Sequence, residues 1–158
     1  MNIRKSLDSR LLSNNPPLKV HLKRGASIES IHRVHAVVCD LKGRILMSAG
    51  DCHYETFIRS ALKPFQALTF LSSGASEIVN SSDSSKSVAL ACGSHSGEAI
   101  HARQAFKLLW NAHLDVDDLD CPTPRNRESP LEHNCSGKHA AFLATCSKMG
   151  WPLKDYLK

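Results

Sequence analysis

The sequence predicts a mixed α/β (α+β) fold, an N-terminal β-hairpin followed by helices. A valine-rich run over 33–40 and a return over 44–48 flank the turn Lys42-Gly43, which is the pattern of a hairpin with a glycine-containing loop. Apolar residues then recur at helical spacing in three later segments. The chain has 158 residues, 42% hydrophobic and 22% charged, the length and balance of one globular domain.

Residues 1–17 read as a flexible lead ending in Asn14-Asn15-Pro16-Pro17, and 18–158 as the domain proper. Leu18 to Leu22 suits a short strand. Val34, Val37 and Val38 stand on the first arm of the hairpin, Arg44 to Ser48 form the second, and Gly50-Asp51 closes it. A first helix is expected over roughly 60–73, with Phe65, Leu68, Phe70 and Leu71 as the stripe that anchors it. Residues 74–87 are serine-rich and suit a surface loop or a short capped helix. The compact run Ser87 to Cys92 suits a buried strand or helix segment. A second helix over roughly 98–112 carries Ile100, Ala105, Leu108 and Leu109 on one side. Residues 115–132 are acidic and then proline-rich, as in a loop. A third helix starts near Ser136, carries Ala140, Ala141, Leu143 and Ala144, and stops at Gly150-Trp151-Pro152; Asp155 to Lys158 look like the start of another element.

Composition excludes several classes. The formal charge is +5, but the 20 basic residues form no dense run and aromatics make up only 6%, so no nucleic-acid-binding face is expected. No stretch approaches a membrane span. Met1 to Leu18 is interrupted by Arg4, Lys5, Asp8 and Arg10 and has no apolar core, so no secretory signal is read and the expected location is cytoplasmic. Six cysteines without a C-x-x-C pair argue against a disulfide framework or a zinc ribbon and suit small buried apolar residues.

Three segments carry chemistry. In Arg59-Ser60-Ala61-Leu62-Lys63-Pro64 a serine stands three residues before a lysine at a helix start. One turn brings i and i+3 together, so an unprotonated Lys63 would take the Ser60 proton and leave a nucleophile. Pro64 belongs in a first helical turn, and the positive end of the helix dipole there favours an alkoxide. The competing reading is an N-cap serine beside a solvated lysine. Gly93-Ser94-His95-Ser96-Gly97-Glu98 sets two hydroxyls and an imidazole between glycines, where loop amides bind a carboxylate or oxyanion. The competing reading is a helix cap by Ser94 or Ser96 with Glu98 in the first turn. Asn134-Cys135-Ser136-Gly137-Lys138-His139 is not a P-loop, because no glycine stands five residues before Gly137 and a histidine replaces the Mg²⁺-binding hydroxyl. Cys135 with His139 offers too few ligands for a structural zinc, and a capped helix with a buried cysteine competes.

Together these segments, in this order and rough spacing, resemble the asparaginase II family, the Rhizobium etli-type or class 3 L-asparaginases, over 18–158. Arg24-Gly25 through Ile31-His32-Arg33 to Gly50-Asp51 is similar to that family's start. The resemblance implies a fold like that of serine β-lactamases and glutaminases, and hydrolysis of L-asparagine to L-aspartate and ammonia. It implies that Ser60 is the nucleophile, Lys63 its partner and Ser94 a second catalytic serine. Arg59, His95, Ser96, Gly97 and Glu98 are then expected at the substrate. It also implies zinc, with Cys135 and Lys138 among the ligands; a lysine binds metal only once its proton is displaced.

Two departures from the family set an alternative beside this reading. The chain ends at Lys158, roughly half the usual length, so a third zinc ligand (a cysteine) and the lysine partner of the second serine are lacking; the stretch from Cys121 to Glu132 is also short. The alternative is an apparently truncated, inactive fragment, or half of a split enzyme. The partners expected are L-asparagine and either a second copy, as a homodimer, or a separately encoded C-terminal half. A β-lactam-interacting protein ranks last, because S-x-x-K lacks its companions S-D-N and K-T-G.

Overall fold

The computed structural model describes residues 15–157; most of the expected N-terminal lead, residues 1–14, lies outside them, as does Lys158. The architecture is α+β, two small antiparallel sheets followed by four helices. The chain divides into two compact units, one up to Phe57 and one from Ile58 onward.

The first unit holds the strands. β1 (Leu18–Arg24) pairs antiparallel with β2 (Ser27–Val34), Leu18 opposite Val34. Gly25, at φ +60°, makes the turn between them, a conformation that costs glycine little. β3 (Ala36–Cys39) and β4 (Ile45–Ala49) form the expected hairpin. Its turn is fixed by Asp40, whose Oδ1 accepts from the Lys42 and Arg44 amides at 2.9 Å each. The Asn15 amide donates to Ser48 Oγ at 3.0 Å and Gly50 N–H to Pro16 C=O at 3.1 Å, so the end of the expected lead is tied down beside β4. The strand β2 was not expected: Ser-Ile-Glu-Ser-Ile-His-Arg-Val has too many polar residues to read as a strand without its partner.

The second unit is helical. α1 is Lys63–Ser72, α2 Ser81–Cys92, α3 Ala99–Asn111 and α4 Ser136–Met149. α4 packs against all three others, because its inward face is alanine-rich and lets them approach. Ala140, Ala141, Leu143 and Ala144 are all buried, as the periodicity predicts. Phe70 of α1, Leu90 of α2, and Leu108 and Leu109 of α3 complete the core, each large side chain contributing about 2 kcal/mol by burial. Gly137 is required at the α2–α4 contact: a Cβ there would stand 2.7 Å from the Leu90 carbonyl oxygen.

Several expectations change. The inward face of α1 is Lys63, Ala67 and Phe70, spaced i, i+4, i+7, so of the predicted stripe Phe70 is buried while Phe65, Leu68 and Leu71 are exposed. Ile100, at the start of α3, is also exposed. The serine-rich segment is the first part of α2, started by Asn80, whose side chain accepts from the Asp83 amide at 3.1 Å; this is an N-cap, and the run Ser87–Cys92 is the end of the same helix. The loop 115–132 contains two short 3₁₀ turns. Of the six cysteines only Cys121 is buried. Among the described residues no helix is long and apolar enough to cross a membrane.

Candidate active site

All three motifs lie in the helical unit, and two of them meet at Lys63. This residue opens α1 on its buried face and is only 2% exposed. Its Nζ donates to Gly93 C=O at 2.9 Å and to Ser94 Oγ at 2.8 Å. A buried ammonium needs such partners. The solvated-lysine reading therefore fails. So does its companion: the cap position of α1 is Leu62, with no side-chain cap bond, and Ser60 caps nothing.

Ser60 stands one turn earlier, in a 3₁₀ turn over Arg59–Leu62 that has no buried residue. Its side chain is exposed, and the Lys63 ammonium bonds to Ser94 and Gly93, not to the Ser60 hydroxyl. Arg59, also exposed, enters the turn at φ +49°. That region is costly for a residue with a Cβ, and such strain concentrates at functional sites.

The loop after α2 is welded to the loop before α4. His95 N–H donates to Asn134 C=O at 3.2 Å. The imidazole Nδ1 accepts from Gly97 N–H at 3.1 Å, and Nε2 lies 3.1 Å from Ser136 Oγ. Ser136, fully buried, donates to Leu131 C=O at 2.7 Å. With Nδ1 accepting, the proton sits on Nε2 and the ring is neutral. Burial pushes the His95 pKa down to about 4, helped by His101, Lys63 and His133. Gly97 stands at φ +72°, where a Cβ would meet the Glu132 carbonyl oxygen at 2.1 Å, so only glycine fits. Glu132 is itself held by a capping box with Ser129.

These bonds engage several of the polar groups expected at the substrate. Both ring nitrogens of His95 and the Gly97 amide are used inside the protein, leaving them as struts. Ser96 Oγ donates to Glu98 Oε1 at 2.9 Å on the exposed side of the loop. Neither Ser94 nor Ser96 caps α3: its cap residue is Glu98, without a side-chain cap bond. Ser136 carries no sequence signal of its own, because its role needs His95, 41 positions away in the chain.

Cys135 and Lys138 share the first turn of α4. Cys135 is the half-buried cap residue, with no side-chain cap bond, and the Lys138 ammonium lies 5.6 Å from the Phe142 ring centroid. Among the described residues no three His, Cys, Asp or Glu side chains gather as a metal site. Two donors fall short of the four that zinc takes, so these residues by themselves do not fit a zinc centre. Behind them His139 Nδ1 and Tyr156 Oη share a hydrogen bond of 2.7 Å, and Tyr156 Oη accepts from Asp120 N–H at 2.9 Å. Burial pushes His139 down to about 4 and Tyr156 up to about 12. Both groups are therefore neutral and hold the end of the chain against α4.

The sequence profile of the L-asparaginase II family matches residues 20–158. The chain belongs to the L-asparaginase II family. That assignment covers both units and all three motifs, and it makes the protein a relative of asparaginase-type amidohydrolases. Comparison with curated proteins finds no match.

Proposed function

We propose that the chain carries the amide-hydrolysing machinery of an L-asparaginase, converting L-asparagine to L-aspartate and ammonia. The observation that supports this most is the buried Lys63 with its Nζ 2.8 Å from Ser94 Oγ, set within a family match that spans both serine motifs. In this reading Ser60 attacks the side-chain amide carbon and Lys63, unprotonated, takes its proton. Lys63 hands a proton to Ser94, and Ser94 delivers it to the leaving nitrogen as the C–N bond breaks. Ammonia departs, an acyl-enzyme remains on Ser60, and water releases aspartate. Such positioned proton transfer typically contributes 10²- to 10⁴-fold. Zinc at Cys135 and Lys138 enters the reading only if further donors join them, and no step depends on it. The six free thiols suit the reducing cytoplasm, where we place the activity.

A second reading is favoured by the outward face of α1. Phe65 is 64% and Leu68 57% exposed, on the helix that carries Lys63. A separately encoded C-terminal half covering this face would complete the site. Ammonia release from L-asparagine, measured on the chain alone and beside its Ser60→Ala variant, tests the first reading. Activity that appears only when a C-terminal half is added supports the second.

A further inference from the structure

Between α2 and α3 lies an open cavity of about 310 Å³. Its walls are Ala89, Leu90 and Ile100, and its polar lining includes Ser94, His101 and Gln104. Gln104 is 8% exposed, and its Nε2 donates to Asp83 C=O at 3.2 Å and to Ser87 Oγ at 2.9 Å. A backbone carbonyl only accepts, so these bonds fix which end of the amide is nitrogen. The other end, Oε1, has no hydrogen-bond partner among the described residues. None of them leaves a buried side-chain oxygen or nitrogen unpaired, so Oε1 meets solvent. Gln104 itself lines the cavity.

An acceptor in a largely apolar wall selects what enters. A primary carboxamide brings N–H groups to Gln104 Oε1. A carboxylate brings only lone pairs and is repelled, since an unpaired charge in an apolar site is costly. The one ammonium on the lining, Lys86, is already paired with Asp83 at 3.2 Å. No carboxylate lines the cavity to hold an organic cation. Ser94 also lines the cavity, with its hydroxyl proton still free after Oγ accepts from Lys63.

We propose that this cavity binds a neutral primary carboxamide, with Gln104 Oε1 accepting from the amide nitrogen. The assignment rests on the asparaginase reading and deepens it: Gln104 becomes the residue that tells the amide of the substrate from the acid of the product. It would hold the leaving nitrogen near Ser94 and release the carboxylate once formed.

The test is an amide-proton NMR titration of the isotopically labelled chain with propionamide and, separately, with propionate. Propionamide is expected to shift the Gln104 side-chain amide and the Leu90 and Ile100 signals saturably, and propionate to leave them unmoved. Gln104→Met should weaken propionamide by about tenfold, the scale of one hydrogen bond. Ile100→Trp, at an exposed wall position, should block the cavity with the fold intact. Equal response to propionate, or undiminished propionamide binding in Ile100→Trp, overturns the assignment. Turnover of L-asparagine with no propionamide response also overturns it while leaving the hydrolase reading standing. Propionamide binding without turnover supports the cavity and removes the hydrolase reading.

Discussion

Lys63 and Ser94 are joined by a 2.8 Å hydrogen bond across 31 residues of sequence. The same ammonium satisfies the Gly93 carbonyl, so one side chain ties the start of α1 to the loop after α2. Lys63→Ala should leave the Gly93 and Ser94 oxygens short of a donor, at a cost of about 1–3 kcal/mol. Ser94→Ala leaves the ammonium its carbonyl partner and should cost less. Denaturant unfolding of the two variants ranks them; equal losses would mean that Gly93 contributes nothing.

The glycine of the loop is fixed by collision. Gly97 and Gly74 both stand at positive φ, +72° and +73°, but a Cβ at Gly74 meets nothing within 4 Å while one at Gly97 strikes the Glu132 carbonyl. Gly74→Ala should cost about 1 kcal/mol from backbone strain alone. Gly97→Ala should cost about 1–3 kcal/mol more, the usual penalty of overpacking. Thermal unfolding of both variants separates the terms; equal melting temperatures would show that the two loops do not press together.

How much of this was legible follows from which forces are local. The alanine face of α4 could be read because 3.6-residue periodicity is written in consecutive residues. Hairpin β3–β4 was legible through its valines and Lys42-Gly43. Strand β2 was not, since its pairing with β1, not its composition, makes it a strand. The start of α2 was hidden by serines, which favour caps and turns until tertiary packing decides otherwise. The i, i+3 spacing relates Lys63 to Ser60 but gives no sign of its bond to Ser94, which comes from burial of Lys63, Ala67 and Phe70 as one face. Gln104 gave no signal at all: its free oxygen exists only because α2 and α3 are neighbours.

His95 makes stability depend on pH. Its pKa falls from the ordinary 6.5 to about 4, chiefly through burial. Between those values the unfolded chain binds the proton more readily than the folded one. The stabilisation is fully present above about pH 6.5 and is lost as the pH falls toward 4. Protonation would cost Nδ1 its bond from Gly97. His95→Gln cannot take up that proton, so its stability should fall less steeply over this window than that of the wild type. Parallel curves from denaturant unfolding at stepped pH would remove His95 from the coupling.

For zinc, two donors on one helical turn set the expectation. The chain alone should bind zinc no more tightly than its Cys135→Ala variant, measured by competition with a chromophoric chelator. A tenfold or greater loss in Cys135→Ala would show that a complete site assembles around that thiol.

Ammonia release from L-asparagine is the most direct measurement, made on the purified chain beside Ser60→Ala and Lys63→Met, with zinc present. The chemistry proposed predicts release by the wild type and a loss of at least about 100-fold in both variants. Undiminished release from Ser60→Ala would contradict the assignment of the nucleophile, and no release from any of the three would contradict hydrolysis by this chain alone.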